Sequence, residues 1–507
     1  MNKFILAIDQ GTTGTTVAIV DEAAVIRYKV NFEFEQIYPQ PGWVEHDPEK
    51  IWASVLKGIQ EVVKQSHLPA SAIQAIGITN QRETVVVWDQ VSGQPIYNAI
   101  VWQCRRTTDV CNRLKARGLE NSIRKKTGLL LDPYFSASKI QWILDHVPGA
   151  RTKAKAGSLR CGTIDSFLLW RLTSGQKHQT DVSNASRTQL MNLKSMSWDS
   201  DLLKIFKIPA TMLPKIAPSN GEFGQTKGVN GLRDGIPICG IAGDQQAALF
   251  GQACFSEGEA KCTFGTGSFL LMNAGSKLIF SKAGLLTTVA WQLRGDSLPT
   301  YALEGGAFIC GAAVQFLRDQ MQFIKTSSEI EALAASVQST DGVEFVPALT
   351  GLGAPHWQPE ARGLLCGLTR GTTRAHIARA TLEAMAMQNV DILLAMEKDL
   401  GRRLKRLRVD GGAAADGLLM QMQSDFLGTE LDRPQVIETT VAGAAYLAGL
   451  GCGLWTSKKE IAQAWRSDQT FRPQLSSPLR KKRLVQWHLA IKRAALSGDG
   501  GQRRKSL

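Results

Sequence analysis

Asp9 ends an apolar run, Phe4-Ile-Leu-Ala-Ile8. Gln10-Gly-Thr-Thr-Gly-Thr-Thr16 follows it, before a second apolar run, Val17-Ala-Ile-Val20. A Gly/Thr turn between two such runs predicts a hairpin. Its tip offers backbone N–H groups and hydroxyls as donors to an anion, and glycine lets backbone approach a phosphate closely. The carboxylate beside it repels phosphate and suits a bridging Mg²⁺. An ordinary hairpin with a solvated tip would use the same residues, and the turn alone does not separate the two.

Two further turns share this plan. Cys262-Thr-Phe-Gly265-Thr266-Gly-Ser268 runs into Phe269-Leu-Leu-Met272 as strand, turn, strand. Val409-Asp-Gly-Gly412-Ala-Ala-Ala-Asp416-Gly417 follows an apolar strand and opens a helical segment, Leu418 to Leu427. Gly311 and Gln315 stand four apart and share a face if helical, which suits either a ligand's approach or a small-residue helix interface. Elsewhere single residues carry two readings each. Arg82-Glu83 is a site pair or a surface ion pair at a strand end. Asp244, before Gln245-Gln-Ala-Ala-Leu-Phe250, is a base or a helix N-cap. Tyr134 and Trp102 are ligand walls or packing aromatics. The chain has no Gly-Lys dipeptide, hence no Walker loop, and no Gly-x-Gly-x-x-Gly after a strand.

Alternating strand and helix signals position these turns, and they predict an α/β protein. Strands are expected at Val25 to Phe34, Ile73 to Thr79 and Thr84 to Trp88, with a third after Ser92-Gly93 ending near Trp102. His46-Asp47-Pro48-Glu49 supplies a cap, a first-turn proline and an acid for a helix from Ile51. A chain of 507 residues exceeds one compact core. A boundary near residue 250 gives each half its own phosphate-type hairpin, which suggests a duplicated fold holding nucleotide between the halves. The divisions expected are 1–250, 251–480 and a basic C-terminal helix and tail, 481–507.

The formal net charge of +14 raises nucleic acid as a partner. The basic clusters at 402–408, 480–483 and 503–505 carry no interleaved aromatics and match no nucleic-acid module, so a solvated basic face is expected instead. Nine cysteines form no Cys-x-x-Cys pair, and several sit in apolar runs, which suits a reducing cytoplasm without zinc or disulfides. No apolar run is long enough to span a membrane, and Phe4 to Ile8 is too short for a signal peptide.

Longer stretches carry a resemblance. Phe34-Glu-Gln-Ile-Tyr-Pro39, Pro41-Gly-Trp-Val-Glu-His-Asp-Pro48, Ile76-Gly-Ile-Thr-Asn-Gln-Arg-Glu83, Trp102-Gln-Cys-Arg-Arg106 and Asp132-Pro-Tyr-Phe135 lie in the first half. Ala242-Gly-Asp-Gln-Gln246, Thr350-Gly-Leu-Gly-Ala-Pro355 and Arg408-Val-Asp-Gly-Gly412 continue the series. In type and order they resemble the FGGY carbohydrate kinases of the actin-like ATPase superfamily, above all the members that phosphorylate glycerol, from Asp9 to roughly Pro473. The resemblance implies two ribonuclease-H-like α/β domains with a catalytic cleft between them. It implies glycerol and ATP as substrates, Mg²⁺ as cofactor, a cytoplasmic enzyme, and a homo-oligomer, dimer or tetramer.

It also assigns residues. Glycerol would lie against Arg82, Glu83, Tyr134, Asp244 and Gln245, with Trp102 and Phe269 along its carbon chain. Arg donates only, Glu accepts only, and Tyr and Gln do both, which suits a triol. Such a lining rejects analogues lacking a hydroxyl by roughly 10⁴–10⁵ in favourable cases. Asp244 would be the general base. ATP would be gripped by Thr12, Thr13 and Gly14, then Thr266, Gly311 and Gln315, then Gly412 and Asp416. Asp9 would act on the phosphates through Mg²⁺ and its waters, with Asp244 a second candidate for the metal.

The chain departs from the family pattern at Thr16, usually an Arg, and at Asp416, usually an Asn. Weaker ATP binding, or tolerance of another nucleotide, is expected. Gly231-Leu-Arg-Asp-Gly-Ile-Pro237 displaces the Arg of the fructose 1,6-bisphosphate loop found in some relatives, and no His lies between His178 and His356 to serve their phosphorylation control. Neither control is expected. The alternatives are a kinase of a pentulose or longer polyol, an actin-like ATPase with no small acceptor, and an impaired sensor.

Overall fold

The computed structural model describes residues 3–496. Its framework is two mixed sheets. The first runs, edge to edge, Asn220–Gln225, Pro237–Gly243, Ile73–Asn80, Phe4–Gln10, Gly14–Asp21 and Ile26–Glu33. The second runs Leu286–Trp291, Thr300–Ala307, Ser268–Gly275, Ala260–Phe264, Leu407–Asp410, Leu431–Pro434 and Ser467–Phe471. Each contains an antiparallel hairpin, Phe4–Gln10 with Gly14–Asp21 and Ala260–Phe264 with Ser268–Gly275. In each, the hairpin's first strand also pairs in parallel with a later strand, Ile73–Asn80 or Leu407–Asp410. The repeat expected from two similar turns is therefore a repeat of sheet topology.

Local sequence explains the elements beside the sheets. Helix Pro48–Ser66 starts where the Asp47 carboxylate accepts the Glu49 N–H at 2.8 Å and proline takes the first helical position. Its buried Ile51, Val55, Ile59 and Val62 recur at helical spacing and cover the first sheet beside Leu6, Ile8, Val17 and Ile19. The strand expected near Trp102 is only Ala99–Ile100, held between Glu45–His46 and Val85–Asp89 in a small sheet that Leu159–Thr163 completes. The apolar residues on either side of it pack in loops instead.

The two sheets meet through a pair of helices. Asp244–Gly251 leaves the first sheet, and Thr439–Cys452 lies against that sheet although it follows strands of the second. They share one core in which Ile5, Ala7 and Ala18 meet Leu271, Ala302 and Val441. The helices cross with backbone almost touching backbone. A Cβ on Gly251 would strike the Thr439 carbonyl, and one on Gly443 the Ala247 carbonyl. Small residues here are a condition of the crossing, because overpacking at such a contact forces backbone to move.

Helix Ser477–Leu496 closes the described chain and buries Trp487 and Ile491 against the second half. The basic tail at 503–505 lies outside the described residues. Among the described residues no helix is long and apolar enough to cross a membrane.

Candidate active site

Arg82 and Glu83 follow strand Ile73–Asn80 and are buried, 3% and 1% exposed, which removes the surface ion-pair reading. Glu83 has φ +60°, a left-handed backbone that costs a non-glycine residue energy and is tolerated where surroundings over-determine it. The Arg82 guanidinium is fully engaged. It donates to both Glu304 oxygens, at 2.6 and 2.9 Å, and to the Tyr134 hydroxyl at 3.3 Å. Its Nε lies 3.0 Å from Asp244 Oδ1 and 3.9 Å from Glu83 Oε1. Arg187 completes the cluster, donating to Glu83 at 2.6 Å and to Glu304 at 3.0 Å. Two guanidinium groups thus hold three carboxylates, and a bidentate pair fixes direction as well as charge.

Glu304 and Arg187 were not singled out from the sequence. Glu304 belongs to the second sheet and Arg82 to the first half, so this ion pair spans the two halves. Burial alone would raise the Glu304 carboxyl, but Arg187 and Arg82 hold it below the ordinary carboxylate range. Asp244 is not the N-cap its local sequence suggests. Gly243 occupies that position, and Asp244 is the first helical residue. Its Oδ1 accepts the Gln245 N–H at 2.6 Å and faces Arg82. Burial raises its pKa, and Arg82 partly offsets this.

Aromatic rings wall the space beside these groups. Trp102 meets Tyr134 edge to face at 5.6 Å and Phe269, from the second half, at 6.2 Å. Its indole N–H donates to Thr12 Oγ1 at 2.9 Å, tying this wall to the first Gly/Thr turn. Tyr134 is presented by a loop fixed from below. Lys139, fully buried, donates to the carbonyls of Pro133, Tyr134 and Phe135 at 2.7, 2.5 and 3.0 Å. Burial pushes its ammonium down to about 8.

The second and third turns touch, a Cβ on Gly411 falling 2.5 Å from the Phe264 carbonyl, and the first is tied to the ring wall through Trp102. Asp9 is the last residue but one of the first strand and pairs in register with Thr16, whose hydroxyl accepts from the Asn31 side chain at 2.9 Å. Thr13 is exposed, and Gly14 is buried where the second strand begins. Burial, then the nearby Asp244 and Glu438, push Asp9 up to about 8. In the second turn, the carbonyls of Gly265 and Thr266 accept the N–H groups of Cys310, Gly311 and Ala312 at 2.8–3.0 Å. A Cβ on Gly311 would lie 2.7 Å from the Gly265 carbonyl, so its smallness serves this junction first. Gln315 stands exposed one turn along the helix Gly311–Asp319. In the third turn, Gly412 has open space around its Cα, while Asp416 caps helix Gly417–Leu427 by accepting the Leu419 N–H at 2.8 Å. Burial holds Asp416 up to about 6.

Comparison with known proteins bears on this arrangement. The N-terminal domain profile of the FGGY family of carbohydrate kinases matches residues 4–251, and its C-terminal domain profile matches residues 260–452. The chain is 59% identical over 493 residues to a glycerol kinase of Bdellovibrio bacteriovorus, covering 97% of this chain and 99% of that one. It is 53% identical over 492 residues to a glycerol kinase of Myxococcus xanthus, with the same coverage. Among solved structures it superposes on Plasmodium falciparum glycerol kinase with ADP, with a TM-score of 0.91 and 39% identity, covering 97% of this chain and 98% of that one. A xylulose kinase of Lactobacillus acidophilus, 23% identical with a TM-score of 0.88, shares the fold. Two family profiles that divide the chain as its two sheets do, and relatives matched over 97% of its length, make it a member of the FGGY family of carbohydrate kinases.

Proposed function

We propose that the protein transfers the γ-phosphoryl group of ATP to a terminal hydroxyl of glycerol, giving sn-glycerol 3-phosphate. One observation carries the reading. A set of one-way donors and acceptors, the buried Arg82 and Glu83 and the partly exposed Asp244, stands with the two-way Tyr134 hydroxyl against the rings of Trp102 and Phe269. A three-carbon triol needs such a lining: polar partners for each hydroxyl and an apolar wall for the carbons. Gln245 adds a further amide. The relatives named as glycerol kinases support the same acceptor.

Asp244 accepts the proton of the attacking hydroxyl. A carboxylate cannot ionise an alcohol beforehand, but it can orient the O–H and take its proton as the bond to phosphorus forms. In a loose transition state, positioning and charge neutralisation supply most of the acceleration. The hydroxyls of Thr12, Thr13 and Thr266 and the backbone of the three turns hold the nucleotide. Gly412 leaves room for the adenosine, with Gln315 and Asp416 at its edge.

Asp9 fits a Mg²⁺ role. Among the described residues no group of three or more ligating side chains gathers into a metal cage. A cation here would rest on one or two carboxylates, waters and the phosphates themselves, as Mg²⁺ prefers. Burial first, and then the repulsion of Asp244 and Glu438, hold Asp9 up to about 8, and a cation would relieve both. Bound there, Mg²⁺ supplies charge neutralisation for the phosphates.

The deciding experiment is a coupled assay for ADP formation with glycerol, xylulose and no acceptor. Glycerol-dependent ADP supports the reading. Equal rates without acceptor make the protein an ATPase, preference for xylulose makes it a pentulose kinase, and silence with every acceptor makes it a sensor.

Thr16 gives a second test. It stands beside Asp9 with no charge to offer the phosphates. Thr16→Arg is expected to lower the Michaelis constant for ATP about tenfold, the worth of one charge-assisted hydrogen bond. The gain should shrink as salt is raised. An unchanged constant at low salt would show that this position does not face the phosphates.

A further inference from the structure

Lys261 is a buried cation with no part in the scheme above. It sits on strand Ala260–Phe264, just before the second Gly/Thr turn, and is 0% exposed. A buried ammonium must be paired and hydrogen-bonded. Lys261 donates to Thr263 Oγ1 at 2.8 Å and to the Gln245 side-chain oxygen. It has three N–H donors and two protein acceptors, so one donor remains.

Its surroundings say where that donor is useful. Thr263 lies opposite Phe269 in the hairpin and beside Asp410 in the parallel pair, so Lys261 and Thr263 share the sheet face that carries Phe269 to the acceptor wall. Gln245 adjoins Asp244 in the first turn of its helix. The ammonium is therefore placed between the acceptor pocket and the second turn, which is the path of the group to be transferred. Asp410 and Asp244 favour its charged form against the burial that lowers its pKa. Arg82 cannot serve there, because Glu304, Asp244 and Tyr134 already occupy it.

We propose that Lys261 is a catalytic residue that donates to the γ-phosphoryl oxygens during transfer; this rests on the kinase reading above. In the step itself, the glycerol oxygen bonds to the γ-phosphorus and its proton passes to Asp244. The bond from the γ-phosphorus to the bridging oxygen breaks, and that electron pair leaves with ADP. Lys261 forms and breaks no covalent bond and gives up no proton. It offsets charge on the equatorial oxygens.

A merely structural Lys261 would hold Gln245 in place, and its loss would weaken glycerol binding. The two roles separate by experiment. Lys261→Met removes charge and donors at similar volume, and Lys261→Gln removes charge but keeps amide donors. Each is expected to lower kcat by about 10²–10³, the worth of a preorganised donor in a water-excluded site, while the glycerol KM moves less than about threefold. Lys261→Arg should keep at least about a tenth of the activity, since it keeps the charge. A binding measurement needs no turnover. In calorimetry with Mg²⁺, β,γ-methylene-ATP should weaken about tenfold or more in Lys261→Gln while ADP does not, because only the former presents a γ-phosphoryl group.

Three results would overturn the proposal: glycerol KM rising with kcat retained, both nucleotides weakening equally, or the Gln variant matching the parent. Failure of the parent protein to form ADP with glycerol would overturn the kinase reading instead, and the nucleotide comparison would still judge Lys261.

Discussion

Asp244→Asn is expected to lower kcat by about 10²–10⁴, the range general-base catalysis contributes, and to leave glycerol affinity within a few-fold. The substitution is nearly isosteric. The amide oxygen still accepts from Arg82 Nε, now 3.0 Å from Oδ1, and from the Gln245 N–H. The pocket therefore keeps its shape and, on the proposed reading, loses the atom that takes the proton. Coupled kinetics measure the first quantity and calorimetry with glycerol the second. The parent should also show an acid limb in kcat/KM, because the base works only when ionised. Burial raises Asp244, so that limb should fall above the ordinary aspartate value of about 3.9. A variant with near-parental turnover would remove Asp244 from the proton's path.

Glu304→Gln is expected to cost about 3–5 kcal/mol of stability, the penalty for removing one partner of a buried ion pair. The reason is in the count of charges. Glu304 accepts from Arg82 twice and from Arg187 once, at 2.6–3.0 Å, and all three side chains are buried. Without it, two guanidinium groups share Glu83 and Asp244, and Asp244 is drawn from the acceptor it should face. Glycerol KM should rise about tenfold or more, since a displaced Arg82 no longer holds Tyr134 and Asp244 in place. Denaturant unfolding reads the first effect as a lower midpoint at unchanged slope. An unchanged midpoint would mean that the cluster serves orientation alone.

How much of this was legible depends on whether chemistry was local. The hairpins were, because a Gly/Thr turn between apolar runs has few other uses. Helix Pro48–Ser66 was, because its cap and first-turn proline are adjacent in sequence. Arg82, Glu83, Tyr134 and Asp244 were located by their motifs, yet local rules gave Arg82-Glu83 an exposed position and Asp244 a capping role. Tertiary contact overrode both. Arg187, Glu304 and Lys139 lie in segments with no catalytic signature, and Lys261 stands one residue before the second Gly/Thr turn, outside its motif. A signal existed for two of them. Glu304 sits within Tyr301-Ala-Leu-Glu-Gly-Gly306 and Lys261 between Ala260 and Cys262, charges inside apolar strands. A charge there must find a partner, but one sequence does not say which. The partners lie 222 and 16 residues away. The left-handed backbone of Glu83 left no trace at all.

The single hydrogen bond from Trp102 to Thr12 has a thermodynamic consequence. On the proposed reading it joins a side chain of the acceptor wall to a hydroxyl of the phosphate turn, so a shift of this bond on binding one substrate is expected to bias the site of the other. Coupling of this kind is reciprocal. Whatever factor separates the affinity for nucleotide with and without glycerol must equal the factor separating the affinity for glycerol with and without nucleotide. Four equilibrium titrations therefore close a cycle, and the substrates' order of addition cannot alter its sum.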